Sequence, residues 1–389
     1  MNIKPLLLTG FFLAEVLNLF SQYTITKGKN TIEISGSVSM FYNHRILKEG
    51  ETDGRKNRFN LRDAQIQIEG KHGRNIEYKI QFDIADVVAG VNDPENPGLM
   101  DAWVQYKGFK GFDIQVGYGT LPYSRSNLTP FIQSPYWQRP ELTRGSLFSR
   151  RDVGITLSKS LWNQQINLYG GIYTGQGEIS LKGDNDASGQ PEYMARFDIS
   201  YPSRYRFRDV DLRHVPVPMF TIGANMRYAN KRLPDGTVMP AGSVGEYGIK
   251  TINGEKFTYG FDAAFQFKGF SAQFEMHQIK VRPHNANDPL LFGLAFSETG
   301  GVFYAGGWYS QISYYFKPIK TTLSARFEEL DLSDLIKGNA QRLVFAAAYY
   351  FKGPQNCIKM QFWHNLKEES IDPQRWNQQL RIGYQYTFQ

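Results

Sequence analysis

The sequence predicts an all-β fold: a transmembrane, antiparallel, up-and-down β-barrel of about sixteen strands that occupies residues 22–389. Three observations predict it. Apolar and polar residues alternate with a period of two, many of the alternating runs are long, and short and long links alternate between the runs. Strands of globular proteins are about five or six residues long, whereas a strand that crosses a bilayer needs about nine to eleven.

Residues 1–21 have the pattern of a secretory signal peptide. Lys4 supplies the positive n-region, residues 6–20 supply the apolar core, and Ser21 is a small residue at the expected cleavage site. The alternative is an N-terminal anchor helix, which would be short for a bilayer and would carry the charge of Glu15 near its middle. We therefore expect cleavage near Ser21 and a mature chain outside the inner membrane.

The composition excludes several classes of protein. The 44 Lys and Arg exceed the 37 Asp and Glu by a net charge of +7, without a long run of like charges, so no nucleic-acid partner is expected. No apolar stretch is long enough for a transmembrane helix. The single cysteine, Cys357, excludes an intrachain disulfide or a cysteine-cluster metal site. An aromatic content of 15% argues against disorder.

Sixteen alternating runs end at turn residues and are predicted to be strands. In residues 76–84, for example, isoleucine, tyrosine and phenylalanine alternate with charged residues and glutamine. The predicted strands are 31–42, 58–70, 74–86, 100–107, 112–119, 151–161, 164–175, 192–201, 218–230, 255–268, 270–280, 302–316, 319–330, 341–352, 357–366 and 376–388.

The links between these strands alternate in length. Short links lie near 71–73, 108–111, 162–163, 269, 317–318 and 353–356, and long links near 43–57, 87–99, 120–150, 176–191, 231–254, 281–301, 331–340 and 367–375. Short turns on one side and long loops on the other are typical of outer-membrane barrels. An even number of strands then puts both termini on the short-turn, periplasmic side.

The link 202–217 breaks this alternation, since it is long where a short turn is expected. Its basic residues are Arg204, Arg206, Arg208 and Arg213. Either a further hairpin lies there, or this turn folds into the mouth of the barrel.

A soluble β-sandwich also alternates in polarity, but two further features favour a membrane barrel. Trp308, Tyr314 and Phe316 share one face of a strand, as expected for an aromatic girdle at a membrane interface. An unpaired backbone group in hydrocarbon costs several kcal/mol, so a spanning sheet must close on itself. A closed barrel of about sixteen strands is too wide to be filled by its own side chains and leaves an aqueous channel.

Several segments, in their order along the chain, resemble the phosphate-selective porin O and P family. They are 58–64 (RFNLRDA), 78–83 (YKIQFD), 101–106 (DAWVQY), 117–125 (GYGTLPYSR) and 151–155 (RDVGI). The signal that ends at Ser21 also resembles those of outer-membrane porins from Bacteroidota. The resemblance implies a sixteen-stranded homotrimeric channel that prefers anions. It also implies that the third extracellular loop folds inward and narrows the pore, and that a periplasmic turn can enter the lumen.

The predicted inner wall has nearly balanced charges, so any selectivity is expected to come from the insertions. The segment 123–151 has only Glu141 as an acid, against the basic residues Arg125, Arg139, Arg144, Arg150 and Arg151. If this loop folds inward, it focuses positive potential where the channel is narrowest. The planar fork of arginine can also hold a phosphate or carboxylate through two parallel hydrogen bonds.

Further candidates for the anion path lie on the strands and in the long turn. They are Arg58, Arg62, Lys79, Asp101, Arg204, Arg206 and Arg208. The alternative for the loop arginines is that they are solvated charges or bind lipopolysaccharide phosphates at the rim. No long basic ladder is evident on the wall, which favours passage of small anions or polar solutes in general over phosphate alone.

Catalytic patterns do not stand out. The six histidines lack metal-ligand spacing, and neither a G-x-S-x-G nucleophile motif nor a Walker loop occurs. We therefore expect no enzyme activity, cofactor or metal, and predict a passive diffusion channel for small hydrophilic solutes, with a preference for anions such as phosphate. Two alternatives stay open: a structural or adhesin barrel with a plugged lumen, and a barrel hydrolase of the outer membrane.

Overall fold

The structure of the chain is a computed structural model. It describes residues 23–52, 56–89, 98–144, 147–175, 177, 188–232, 253–284, 302–331, 334, 338–368 and 375–388. The predicted signal peptide, residues 1–21, lies outside the described residues, and its cleavage stays a prediction.

Sixteen antiparallel strands form one closed barrel, which confirms the predicted fold class. They are β2 (Asn30–Leu47), β3 (Asn57–His72), β4 (Ile76–Asp83), β5 (Leu99–Tyr106), β6 (Asp113–Thr120), β7 (Arg151–Leu161), β8 (Ile166–Tyr173), β9 (Glu192–Tyr201), β10 (Met219–Lys231), β11 (Gly254–Phe267), β12 (Phe270–Pro283), β13 (Phe303–Phe316), β14 (Thr321–Asp331), β15 (Ala340–Tyr350), β16 (Asn356–Lys367) and β17 (Trp376–Phe388). Each strand pairs with the next along the chain, and β17 pairs with β2 from Phe388↔Gly36 to Trp376↔Leu47, which closes the sheet.

A short strand, β1 (Tyr23–Lys27), precedes the barrel. It forms a hairpin with residues 30–34 of β2, just below the point where the pairing of β2 with β17 begins. The other elements are two short helices, α1 (Ile84–Ala89) and α2 (Arg125–Leu128), and two 3₁₀ turns, Phe131–Gln133 and Glu141–Thr143. Among the described residues, no helix has the length and apolar character needed to cross a membrane.

The period-two pattern separates the two faces of the barrel wall. On β10, Phe220, Ile222 and Met226 are about half exposed on the outer face, while Thr221, Asn225 and Arg227 are buried on the inner face. The same alternation runs along β9, β11 and β12. Apolar residues thus face outward, toward lipid in a membrane, and polar residues face inward, which is the reverse of a soluble core.

Two local features depart from the predicted strand pattern. The register between β2 and β3 shifts between Ser39 and Met40, and the extra residue in this bulge is Arg62. A bulge lets an added side chain point to a face that simple alternation would deny it. β4 ends at Asp83, earlier than the predicted end at residue 86, because α1 follows directly.

The two long insertions that the sequence singled out both contact inward-facing residues of the wall. We call residues 121–150 the inner loop, which joins β6 to β7, and residues 202–218 the β9–β10 turn. The two ends of the inner loop are hydrogen-bonded to each other: the amide of Leu121 donates to the carbonyl of Arg150 at 2.9 Å. The side chains of these insertions determine how much of the lumen stays open.

Candidate solute pathway

One end of the inner loop is attached to β12 through the carboxylate of Glu275. This carboxylate accepts hydrogen bonds from the backbone amides of Arg125 at 2.9 Å and Ser126 at 3.1 Å, and from the Tyr309 hydroxyl at 2.8 Å. The ring of His277 lies 2.7 Å from the same carboxylate. Because Glu275 is fully buried, its charge is stabilised by these donors in place of water.

The other end of the loop is attached to the opposite wall through Trp137. Its indole donates to the carbonyl of Lys359 on β16 at 3.1 Å, and its backbone amide donates to the Gln361 side chain. Arg62 of β3 donates from Nε to the Trp137 carbonyl at 2.9 Å. The loop therefore spans the interior from β12 to β16 and β3, so the described part of the segment lies inside the barrel.

The β9–β10 turn enters the same interior. The carbonyl of Arg208 accepts from Gln273 at 2.6 Å, and Asp209 accepts from Gln311 at 3.0 Å; both donors are inward-facing strand residues. The turn also meets the inner loop, since the guanidinium of Arg125 lies 4.6 Å from the Tyr205 ring centroid and 5.1 Å from that of Phe207. Of the two interpretations of link 202–217, the structure favours the turn that folds into the barrel.

One side of the lumen is packed by this arrangement. Tyr123, Leu142 and Phe148 of the inner loop form one apolar cluster with wall residues that include Ile279 and Tyr309. All are almost completely buried. We call this the packed side of the barrel, because buried side chains of the loop and the wall fill the interior there.

The opposite side, between the inner loop and strands β2–β6, holds a cavity of about 470 Å³, which we call the lumen cavity. A second cavity, of about 310 Å³, lies between the inner loop, the β9–β10 turn and the β15–β16 turn. Ile132, Gln133 and Thr387 line both cavities. The shared lining indicates one path that runs along the β2–β6 wall and continues past the β9–β10 turn.

Basic residues predominate along this path. The lumen cavity is lined by Lys79, Arg139, Arg150 and Arg151 against Asp63 and Asp101, and the second cavity by Arg208 and Lys352. Both acids have a cation beside them: Lys79 lies 3.0 Å from Asp101, and Arg62 lies 2.9 Å from Asp63. Basic residues therefore outnumber acidic residues in the lining of both cavities, and most of those in the lumen cavity belong to the inner loop.

The β9–β10 turn contributes one cation, Arg208, to the lining of the second cavity. Partial burial lowers the pKa of Arg208, and the neighbouring cations Arg213 and Arg206 lower it further. An arginine remains protonated at neutral pH despite such a shift. Because these guanidiniums repel one another, an anion beside the second cavity would be stabilised by them.

Wall cations on the packed side do not add to this potential, because carboxylates neutralise them. Arg196 makes two hydrogen bonds to Asp262, at 2.6 and 3.2 Å. Arg227 and Lys256 share Glu192, and Arg326 pairs with Glu328 at 2.5 Å. These pairings agree with the predicted near balance of charge on the inner wall.

The structure brings together only part of the predicted set of anion-path residues. Lys79, Asp101, Arg139, Arg150 and Arg151 line the lumen cavity, and Arg208 lines the second cavity. The remaining candidates, which line neither cavity, are Arg58, Arg62, Arg125, Arg144, Arg204 and Arg206.

These six residues have different environments. Arg125 is fully buried, 3.6 Å from Asp262, and holds the loop against the turn. Arg62 is nearly buried and touches the loop, and Arg58 is half-buried on the inner face of β3. Arg144 lies 3.6 Å from Glu141. Arg204 and Arg206 are exposed. Their roles in selectivity stay predictions.

Charge counting missed the uncharged lining of the lumen cavity. Ser35, Ser37, Gln65, Gln67 and Gln81 face it from β2, β3 and β4, in neighbouring register positions. The run of glutamines and serines on the polar face of these strands is the sequence feature that could have predicted this lining. No sequence feature predicts that the apolar loop segment 128–132 faces them, since its position depends on how the loop folds.

No catalytic centre emerges from the buried polar groups of the described residues. His277, Glu275 and Tyr123 form a hydrogen-bonded chain, with Tyr123 Oη 3.0 Å from His277 Nδ1. All three are covered by the inner loop, with exposures of 1% or less. No group of three potential metal ligands occurs among the residues that the structure describes. The chain of residues has a structural role, which is to hold the loop.

Comparison with known protein families supports the resemblance that the sequence motifs suggested. The model of the family described as phosphate-selective porin O and P matches residues 32–206, which confirms the resemblance over this part of the chain. No curated protein matches the sequence.

Solved structures of outer-membrane proteins share the fold at low sequence identity. OmpT of Vibrio cholerae in its trimer form is 10% identical and has a TM-score of 0.58, with 93% of this chain and 100% of that chain covered. OmpF of Salmonella typhi in complex with daunomycin has 10% identity, a TM-score of 0.58 and coverage of 94% and 100%. The outer-membrane channel DcaP of Acinetobacter baumannii has 12% identity, a TM-score of 0.58 and coverage of 93% and 99%.

Proposed function

From the match of residues 32–206 to the phosphate-selective porin O and P family, we propose that this chain is an outer-membrane porin: a passive diffusion channel for small hydrophilic solutes that prefers anions such as phosphate. The observation that carries the proposal is the lumen cavity, which is lined by more basic than acidic residues and shares Ile132, Gln133 and Thr387 with a second cavity. No chemical step is required, so the protein is not an enzyme and needs no cofactor.

Passage follows from electrodiffusion along a hydrated path. A solute that enters the lumen is confined between the inner loop and the β2–β6 wall, where the surroundings are less polarisable than bulk water and charges interact more strongly. Arg139, Arg150 and Arg151 lower the energy of an anion there and raise that of a cation. Arg208 and Lys352 of the second cavity favour anions over cations further along the path.

The degree of phosphate preference depends on how these cations are arranged. A ladder of cations around the wall would bind phosphate at successive steps, but here most wall cations pair with carboxylates. The surplus of positive charge belongs to the inner loop. We therefore expect a moderate general preference for anions, with phosphate as one of several permeant species.

Location and assembly follow from the same proposal. A signal peptide removed near Ser21 would direct the chain to the outer membrane, where its apolar outer face contacts lipid and exposed basic residues at the rim contact lipopolysaccharide. We propose a homotrimer, by analogy with the family and with the trimer form of the Vibrio cholerae protein of the same fold. Cross-linking of the detergent-purified protein tests this assembly.

The selectivity of the purified full-length protein in planar bilayers tests the proposal. In a KCl gradient, we expect single-channel steps and a reversal potential of the sign that marks chloride as the more permeant ion. The Arg150→Gln, Arg151→Gln double variant should shift that potential toward zero, because two cations of the lining are lost. The matched control is Arg74→Gln, an exposed arginine in the β3–β4 turn that lines neither cavity. A cation-selective reversal potential would contradict the anion preference.

A second candidate is a structural or adhesin barrel with a plugged lumen. It is favoured by the packed side of the barrel, where the inner loop and the β9–β10 turn fill the interior. The two candidates differ in one property: a plugged barrel gives no single-channel steps in a planar bilayer, whereas a porin does.

A further inference from the structure

We propose that the lumen cavity is a binding site for small organic anions that have a flat apolar face, and that it holds them more tightly than inorganic phosphate. The inference rests on the proposed channel function and specifies its solute class. Its basis is the juxtaposition of three different surfaces around one cavity, each of which suits one part of such a solute.

The first surface is apolar and belongs to the inner loop. Leu128, Pro130, Phe131 and Ile132 line the cavity, and all four are partly or fully exposed to it rather than packed away. Two cations contact the Phe131 ring: the guanidinium of Arg62 lies 4.2 Å, and that of Arg139 5.2 Å, from its centroid. An apolar surface held rigidly in a polar lumen stabilises a solute that can cover it.

The second surface is a platform of amides and hydroxyls on the opposite wall. Ser35 pairs with Gln67, and Gln67 with Gln81, in the registers of β2, β3 and β4. The Gln81 amide donates to the Gln65 side-chain oxygen at 3.0 Å, which orients both groups. Such a platform offers donors and acceptors to hydroxyl or carbonyl groups of a solute without adding charge.

The third surface is positive. Arg139, Arg150 and Arg151 line the cavity beside the apolar segment, and Lys79 lies on the platform side. A carboxylate or phosphate group on the solute would be stabilised there. The cations therefore define one end of the solute as anionic, and the other two surfaces define what its body contacts.

The size of the cavity agrees with this class of ligand. Its volume of about 470 Å³ lies within the roughly 300–1,000 Å³ that is usual for small-molecule sites. Inorganic phosphate would contact only the arginines and leave the apolar surface wet, whereas an aromatic hydroxy acid would contact all three surfaces. Hydroxybenzoate-like acids, with one ring, one carboxylate and one hydroxyl, are the simplest members of the class.

The test uses the full-length protein in planar bilayers, with 4-hydroxybenzoate, inorganic phosphate and the uncharged 4-hydroxybenzyl alcohol as probes of the chloride current. We expect 4-hydroxybenzoate to interrupt the current at a lower concentration than either of the other probes. In the Phe131→Ala variant, the concentration needed should rise about fivefold or more, the change expected from the loss of one ring contact. Phe109→Ala, at an exposed ring between β5 and β6, is the control and should leave it unchanged.

Each outcome has a distinct meaning. Equal interruption by phosphate and 4-hydroxybenzoate overturns the inference, even if the channel is anion-selective, and this comparison needs only the wild-type protein. Interruption by the uncharged alcohol at the same concentration as the acid would show that charge plays no part, which also overturns it. The absence of any single-channel current would instead overturn the proposed function itself.

Discussion

Glu275 illustrates how much a single residue contributes to the position of the inner loop. Its carboxylate is the common acceptor for two loop amides, the Tyr309 hydroxyl and the neighbouring His277. Alternation alone predicts that Glu275 and His277 point inward, because strand parity is local. It does not predict their partners, since Arg125 is 150 positions away in the sequence.

Replacement of Glu275 by glutamine should loosen the inner loop. The amide keeps the shape of the side chain but loses the charge and one acceptor, so a buried donor of the loop is left unsatisfied at a cost of about 1–3 kcal/mol. We expect a lower thermal midpoint in detergent, and a larger and noisier single-channel current. The control is Glu77→Gln, a carboxylate near the start of β4 that pairs with Lys107 and has no contact with the inner loop among the described hydrogen bonds and ion pairs. A quiet channel of unchanged conductance would show that Glu275 does not hold the loop.

Arg62 shows the limit of sequence reasoning at one position. Its place in a family-like motif predicts an inward side chain, and the side chain does contact the inner loop. The bulge that places Arg62 and Asp63 on the same face breaks simple alternation, and only the pairing of β3 with β2 reveals it. The platform of amides and hydroxyls is the reverse case. Alternation predicts that its side chains face inward, but their function depends on the loop residues opposite them, which the sequence does not reveal.

At the scale of elements, alternation predicted the strands, whereas the family resemblance implied only that the two insertions fold inward and not which residues they contact. Every predicted strand overlaps one observed strand, because a wall that separates lipid from water imposes the same alternation along its whole length. The path of the inner loop depends on contacts with β3, β12 and β16, which are far apart in sequence and meet only once the barrel has closed. The packed side of the lumen was therefore not foreseen.

Closure between β17 and β2 depends on close backbone approach at Gly383. A Cβ atom added there would lie 2.1 Å from the Met40 carbonyl oxygen, too close for any side chain. We expect Gly383→Val to destabilise the barrel by roughly 1–3 kcal/mol or more, as overpacking does, and to reduce the fraction that migrates as folded protein on unheated gels. Gly170→Val is the matched control, because nothing lies within 4 Å of the added atom there. Equal folding of both variants would argue against this register.

At the scale of the whole molecule, the barrel is asymmetric inside. The inner loop and the β9–β10 turn fill the side near β9–β14, and the open path follows β2–β6. A closed barrel of this size was expected to leave a wide aqueous channel, but the insertions convert it into a narrow one with a defined chemistry. Under the proposed channel function, we therefore expect selectivity to depend on a few loop residues rather than on the average charge of the wall.

The accessibility of single cysteines to a charged thiol reagent tests most directly where the open path runs. In a Cys357→Ser background, which removes the native buried thiol, the variant Gln67→Cys places a thiol in the lumen cavity. The variant Ala346→Cys places one on an inward-facing position that the inner loop covers. We predict that the reagent lowers the single-channel current of the Gln67→Cys variant and leaves that of the Ala346→Cys variant unchanged. Modification of Ala346→Cys with no effect at Gln67→Cys, or a protein that passes no current at all, would contradict a water-filled path along β2–β6.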